Sequence, residues 1–232
     1  MVMGDSEIAP PCFMEPEPTA YPVLKFLHEF EEIHKTGSHL PHWQQDRASY
    51  FLTFRLGDSI PTTILNDWRE ARDRWCLDHP KPWSDEIEAE YHKRFSAAID
   101  RHLDQNHGSC LLRESENSAI VANALLHFDR HRYLLHSWVI MPNHVHLLLS
   151  LAESESLEHI VASWKRFTAI QINRRNGSSG SLWQRDYFDR LIRDWDHFIN
   201  VARYIRRNPG KAKIQDGSFR LHEAPWVKRL LS

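Results

Sequence analysis

Cysteine is scarce in this 232-residue chain: Cys12, Cys76 and Cys110 are odd in number, far apart and part of no CxxC pair. That excludes a disulfide framework or a thiolate zinc site as the organising feature and fits free thiols in a reducing compartment. A long apolar run is also missing. No window nears the roughly eighteen consecutive apolar residues that a membrane helix needs, and residues 1–20 lack the basic-then-apolar pattern of a signal peptide. A cytoplasmic protein with no membrane partner is expected. No internal repeat is visible, which excludes the stacked-repeat architectures. A strong charge of one sign is absent too, but the formal net charge of −2 hides a division. Residues 1–159 hold 14 Lys and Arg against 25 Asp and Glu, whereas residues 160–232 hold 15 against 6. A basic C-terminal third points to a polyanionic partner, and equally to a solvated helical surface.

What is present is enough apolar residue, 41%, to build a core. Residues 1–20, rich in proline and acid, read as a flexible leader. Residues 21–214 read as one domain. Val23, Phe26, Leu27, Phe30 and Ile33 recur at helical spacing, which predicts a helix over 21–35. Tyr50 to Leu56, dense in aromatic and β-branched residues, predicts the first strand. Two charged helices follow, from Pro61 to Asp78 and from Ser84 to His107, and neither carries recognisable chemistry. Together they form a helical insertion over about residues 61–106. Gly108 to Leu112 is a short strand or turn, and Ser115 to His127 a further amphipathic helix. Arg132–Ile140 and His144–Leu149 form a hairpin joined through Met141-Pro142-Asn143. A helix over 157–176 turns Ile160, Val161, Trp164, Phe167 and Ile170 inward. Gly177 to Ser181 is a flexible link, a strand lies around Tyr187–Ile192, and a helix capped by Asp194 or Asp196 stops at Pro209-Gly210. Residues 215–232 are left as a C-terminal tail. This order predicts an α+β fold, an antiparallel β-sheet with helices against one face and the other face free for a ligand.

The chemistry gathers in Ser137–Ser150, SWVIMPNHVHLLLS. On a strand His144 and His146 point to one side while Val145 and Leu147 point to the other, so two imidazoles share a rigid face. That is half of a divalent-metal site, or a pair of hydrogen-bonded core histidines. Downstream, Tyr204 and Asn208 stand four apart on one helical face, where a phenol and a carboxamide could both reach a metal held elsewhere.

Three segments taken together resemble the REP-associated tyrosine transposases, single-tyrosine relatives of the insertion-sequence transposases within the HUH endonuclease superfamily. They are Trp138-Val139-Ile140-Met141-Pro142-Asn143-His144-Val145-His146, then Trp183-Gln184-Arg185-Asp186-Tyr187-Phe188-Asp189-Arg190, then Tyr204-Ile205-Arg206-Arg207-Asn208-Pro209-Gly210-Lys211-Ala212. The resemblance spans about Trp43 to Ala212. It implies a ferredoxin-like, RRM-like HUH core, His144, His146 and Asn208 as ligands of Mg2+ or Mn2+, and Tyr204 as the nucleophile. The implied reaction cleaves single-stranded DNA beside a hairpin through a 5′-phosphotyrosine link, by a monomer or a homodimer. Lys165, Arg166, Arg185, Arg193 and Arg203 are candidate phosphate contacts. Tyr187 is the competing nucleophile, with sheet packing as its other role. A hairpin-binding relative that does not cleave, and a phosphoesterase that uses water in place of Tyr204, are the alternative functions.

Overall fold

The computed structural model describes residues 22–28, 34–36, 42–80 and 83–232. Five strands make an antiparallel sheet in the order β6-β3-β5-β4-β7: β3 (Ser49–Arg55), β4 (Tyr133–Ile140), β5 (His144–Leu151), β6 (Phe188–Leu191) and β7 (Arg220–Glu223). Two short strands, β1 (His34–Thr36) and β2 (His42–Gln44), pair with each other beside it. The helices are α1 (Thr62–Asp78), α2 (Asp85–Tyr91), α3 (Ala97–Leu103), α4 (Ser115–Leu126), α5 (Leu157–Arg175), α6 (Trp195–Lys211) and α7 (Pro225–Leu230). The α+β architecture expected from the sequence is the one observed.

Strand β5 is central, and all of its residues are buried. Its even members face one way and its odd members the other, as the pleat requires. Val145, Leu147, Leu149 and Leu151 pack with Tyr50, Leu52 and Phe54 of β3 under α4 and α5. On the other face Phe51, Val139 and Leu148 pack under α6 and α7, through Phe198, Val201, Ile205, Trp226 and Val227. Helices α5 and α6 start from side-chain caps. Ser156 accepts from the His159 N–H, and Asp194 from the His197 N–H at 2.7 Å.

The structure corrects the sequence reading in several places. Helices cover both faces of the sheet rather than one. Residues 22–28 are not helical: Lys25 accepts from the Ser49 N–H and Leu27 donates to the Ile192 carbonyl, so this segment runs along the sheet in spite of its helical spacing. The leader, Phe30 and Ile33 lie outside the described residues. The predicted helix over 84–107 is divided by a π-helical turn over His92–Ser96, and Gly108–Leu112 is a turn entering a short 3-10 helix. Helix α6 passes through Pro209 to Lys211, although the proline removes the hydrogen bond that residue 209 would donate to the Ile205 carbonyl. The expected tail supplies the fifth strand, β7, whose residues Arg220–Glu223 pair with Ser137–Ile140 of β4. Phe167 and Ile170 face solvent, at 50% and 54% exposure.

Helices α1–α3 are interposed between the end of β3 and α4, and both ends of the segment are tied together. Ser109 N–H donates to Asp58 Oδ2 at 2.7 Å. Gly108, at φ +84°, approaches Asp58 so closely that a Cβ would lie 2.4 Å from its carbonyl oxygen. The segment has its own aromatic core of Trp75, Tyr91 and Phe95, with Trp68 and Trp83 against it. It stands over the α6 side of the sheet, where it forms a wall.

Candidate active site

The site is assembled by two periodicities. The pleat of β5 aims His144 and His146 toward α6, where both are fully buried. The antiparallel register with β3 sets Thr53 opposite His146 and Arg55 opposite His144. On α6, Val201 and Ile205 anchor one flank in the core, and one turn separates Tyr204 from Asn208 beside it. The Tyr204 hydroxyl lies 3.3 Å from His146 Nε2, which lies 3.1 Å from His144 Nε2. Phe51 stacks on the His146 ring at 5.4 Å and meets the Tyr204 ring edge-on at 5.8 Å, fixing both.

The outer ring nitrogens are held from behind. His144 Nδ1 bonds Asn143 Oδ1 at 2.7 Å, which requires the proton on Nδ1 and leaves a lone pair on Nε2. His146 Nδ1 bonds the Thr53 hydroxyl at 2.7 Å. That hydroxyl either donates or accepts, so it supports the tautomer in which His146 Nε2 donates to His144 and also the one that frees Nε2. Burial first, then the Lys211 cation, pushes His144 down to about 3. Burial, His144 and Lys211 hold His146 well below its ordinary value. Both rings are therefore neutral at pH 7, the state in which imidazole ligates a metal.

Asn208 is fully buried and near enough to the Tyr204 phenol to oppose the rise in its pKa, but among the described residues neither of its amide atoms makes a well-formed hydrogen bond. An orphaned amide in a dry site costs on the order of 1–3 kcal/mol, a reason to look for an absent partner. The donor set fits a divalent ion. Two neutral imidazole nitrogens 3.1 Å apart converge closely enough that both could ligate one ion. The carboxamide oxygen supplies a third, harder donor.

Tyr204 is strongly acid-weakened. Burial foremost, then the carboxylates of Asp100 and Asp104, push its phenol far above its ordinary value. Asp100, on α3, is itself raised to about 6 by burial, partly opposed by its hydrogen bond with Tyr204 and by Lys211. Lys211 pairs with Asp104 at 2.8 Å and lies 5.6 Å from the Tyr204 ring centre. A carboxylate facing the phenol is the site feature that sequence reasoning missed. Its helix looked chemically silent, and only tertiary packing brings it here.

Two recesses open at Tyr204. One, of about 850 Å³, runs between β3, α1–α3 and α6. The other, of about 680 Å³, is bordered by Arg203, Arg207 and Lys211. Of the candidate phosphate contacts, Arg185 lines the first and Arg203 the second. Arg193 and Arg166 line neither, and Arg166 is exposed on α5 behind the opposite face. Lys165 Nζ is engaged by the carbonyls of Gln184, Arg185 and Asp186, each at 3.1 Å. Tyr187 belongs to the core under α5, with Lys165 5.3 Å from its ring centre.

Residues 114–208 match the family described as "Transposase IS200 like". A Haemophilus influenzae protein described as uncharacterized is 27% identical over 94 residues, covering 31% of this chain and 52% of that one. A second from the same organism, assigned as a REP-associated tyrosine transposase, is 30% identical over 82 residues, covering 31% of this chain and 47% of that one. The chain thus spans about half the length of the curated relatives it matches. A solved structure, a REP-associated tyrosine transposase bound to a REP hairpin, aligns over 75% of this chain and 74% of its own at 16% identity and a TM-score of 0.39.

Proposed function

From the match of residues 114–208 to the IS200-like transposases, we propose that the chain is a metal-dependent single-stranded DNA endonuclease and strand transferase acting beside hairpin DNA. The carrying observation is the convergence of His144, His146, Tyr204 and Asn208 from two separate elements, with the Tyr204 hydroxyl 3.3 Å from His146 Nε2. All four lie inside the matched stretch.

His144, His146 and Asn208 hold the divalent ion, which when bound supplies Lewis-acid polarisation of a phosphate oxygen. With two imidazoles in the set, manganese suits the site at least as well as magnesium. Tyr204 Oη attacks phosphorus. The new O–P bond forms as the P–O3′ bond breaks, leaving a 5′-phosphotyrosine and a free 3′-hydroxyl. Because the phenol is held neutral until attack, its proton must leave during the step. Asp100 faces it as a first acceptor, and the 3′-oxygen takes a proton as it departs. The phosphodiester energy stays in the tyrosyl ester, so a 3′-hydroxyl can reverse the step on a second strand without ATP. Arg203, Arg207 and Lys211 around the outer recess suit the backbone of the approaching strand.

The test is incubation of the purified protein with single-stranded hairpin oligonucleotides from its own gene's flanks and Mn2+ or Mg2+, followed by denaturing electrophoresis. A covalent protein–DNA band that is lost with EDTA is expected. In Tyr204→Phe the band should fall by at least about 10³-fold, since the nucleophile is gone while the ring still packs. Full cleavage by Tyr204→Phe would favour the water-using phosphoesterase, and hairpin binding with no cleavage would favour the binding protein.

A further inference from the structure

The recess between the sheet and α1–α3 has more in it than the transfer step uses. Five arginines against three aspartates line its roughly 850 Å³, a volume within the range of about 300–1,000 Å³ usual for ligand pockets. Arg55, from β3, is 8% exposed and sits opposite His144 in the register, on the metal-ligand side. Among the described residues its Nη1 alone is hydrogen-bonded, to Ser59 Oγ at 3.0 Å and the Leu56 carbonyl at 3.4 Å. Burial first, then repulsion by Arg69 of α1, lower the Arg55 guanidinium to about 10, against the opposing pull of the Asp186 carboxylate. Neither Arg69 nor Arg185 makes an ion pair among the described residues. Arg55 and Arg69 repel each other in a half-dry cavity, with the Asp186 carboxylate opposing that repulsion only in part and Arg185 also in the lining, so a further anion is favoured there, and a phosphate accepts such forks bidentately. Trp68 and Phe188 supply aromatic wall beside them, and Tyr204 stands at the inner end.

We propose that this recess is a nucleotide subsite: the Arg55–Arg69 pair binds a backbone phosphate of an unpaired nucleotide contiguous with the scissile strand, with its base against the Trp68–Phe188 wall. The inference rests on the DNA reading above, but it assigns a role to α1, which lies outside the family-matched stretch. Helix α1 then contributes to the choice of target. The strand next to the hairpin is read here, by stacking and phosphate contact rather than by groove recognition.

The experiment uses the full chain without divalent ion, so that binding is measured without cleavage. Fluorescein-labelled hairpins from the gene's flanks are compared by anisotropy as blunt hairpins, as hairpins with short 5′ or 3′ single-stranded extensions, and as the same extensions carrying methylphosphonates. In the wild type one extension should tighten binding by about tenfold, the equivalent of about 1.4 kcal/mol, and methylphosphonate should remove the gain. Arg69→Ala should remove it as well while leaving the blunt hairpin within about twofold, and should lower the salt slope by about 0.7, one single-strand phosphate. Arg69→Lys, which restores the charge, should recover part of the gain and shows that any loss is not misfolding. No gain from an extension in the wild type, or a gain that survives in Arg69→Ala, would overturn the subsite alone. Equal weakening of blunt and extended hairpins would overturn it too, by showing a general charge effect. Failure to bind any hairpin would overturn the DNA reading and the subsite together.

Discussion

The two faces of one sheet have been put to opposite uses. On β5, Val145, Leu147, Leu149 and Leu151 form with α4 and α5 a core that is apolar and closely packed. One residue out of phase, His144, His146 and Ser150 face the other way. There Ser150 Oγ bonds His136 at 2.7 Å, and the metal-ligand candidates meet α6. Arg55, Asn208 and Asp100 add buried polar groups on that side. Polar groups in a dry interior destabilise unless every partner is present. The α4–α5 face therefore supplies the stability that the α6 face spends on chemistry. Residues that serve the site should be cheap or even profitable to remove, while their strand neighbours should not be.

Acid should expose this difference most strongly, because among the described residues the fully buried histidines, His136, His144 and His146, all lie on the α6 face. His136 and His144 are both held near 3, mainly by burial, and His146 well below its ordinary value. Folded, they stay neutral. Unfolded, they take protons below about pH 6.5, so the stability they contribute is complete above that pH and is lost as pH falls, by up to about 1.4 kcal/mol per unit for each group. Asp100 runs the other way. Raised to about 6, it favours the fold at low pH and loses that contribution as pH rises through 6. Three groups outweigh one, so denaturant midpoints measured at pH 7, 5.5 and 4.5 should fall steadily. Asp100→Asn should be more stable than the wild type at pH 7, by at most about 3 kcal/mol, and should lose stability more steeply in acid.

Neighbouring substitutions on the two faces should differ next. Leu147→Ala removes a fully buried side chain from the α4–α5 core and should cost about 3–4 kcal/mol in urea unfolding, with the protein–DNA adduct still formed by the molecules that fold. Asn208→Leu removes two orphaned amide atoms and should change stability by less than about 1 kcal/mol, or raise it. Its adduct formation should fall by about 10- to 100-fold and require more Mn2+. A large stability loss in Asn208→Leu would show that this face is held together by its polar groups.

How much of this was legible in the sequence follows from the range of the interactions. The period-2 alternation at His144 and His146 and the four-residue spacing of Tyr204 and Asn208 are local, and they placed four side chains that the fold does bring together. The strands β3, β4 and β5 were legible for the same reason. What failed depends on contacts far along the chain. Residues 22–28 have helical spacing, but Ser49 and Ile192 offer them hydrogen bonds along the sheet. Arg220–Glu223, RLHE, has no strand pattern and becomes one because β4 offers an open edge. Asp100 and Arg69 sit on helices with no motif, and acquire a chemical setting only from the fold of α1–α3 over the sheet.

The smallest effect is expected on the outer surface of α5, where the sequence pattern misplaced two apolar side chains. Trp164, 4% exposed, turns inward and donates from Nε1 to the Tyr133 hydroxyl at 3.1 Å, whereas Phe167, three residues on, is half exposed. A helix turns about 300° in three residues, so the two share a flank, but the core contact ends between them. Phe167→Ser should therefore shift the unfolding midpoint by less than about 0.5 kcal/mol, against about 3–5 kcal/mol for Trp164→Ala. A cost above about 1 kcal/mol for Phe167→Ser that grows with protein concentration would mean that a second copy of the chain covers this helix in solution. The closely packed side of the sheet would then extend into a homodimer interface, leaving the polar side as the one open to DNA.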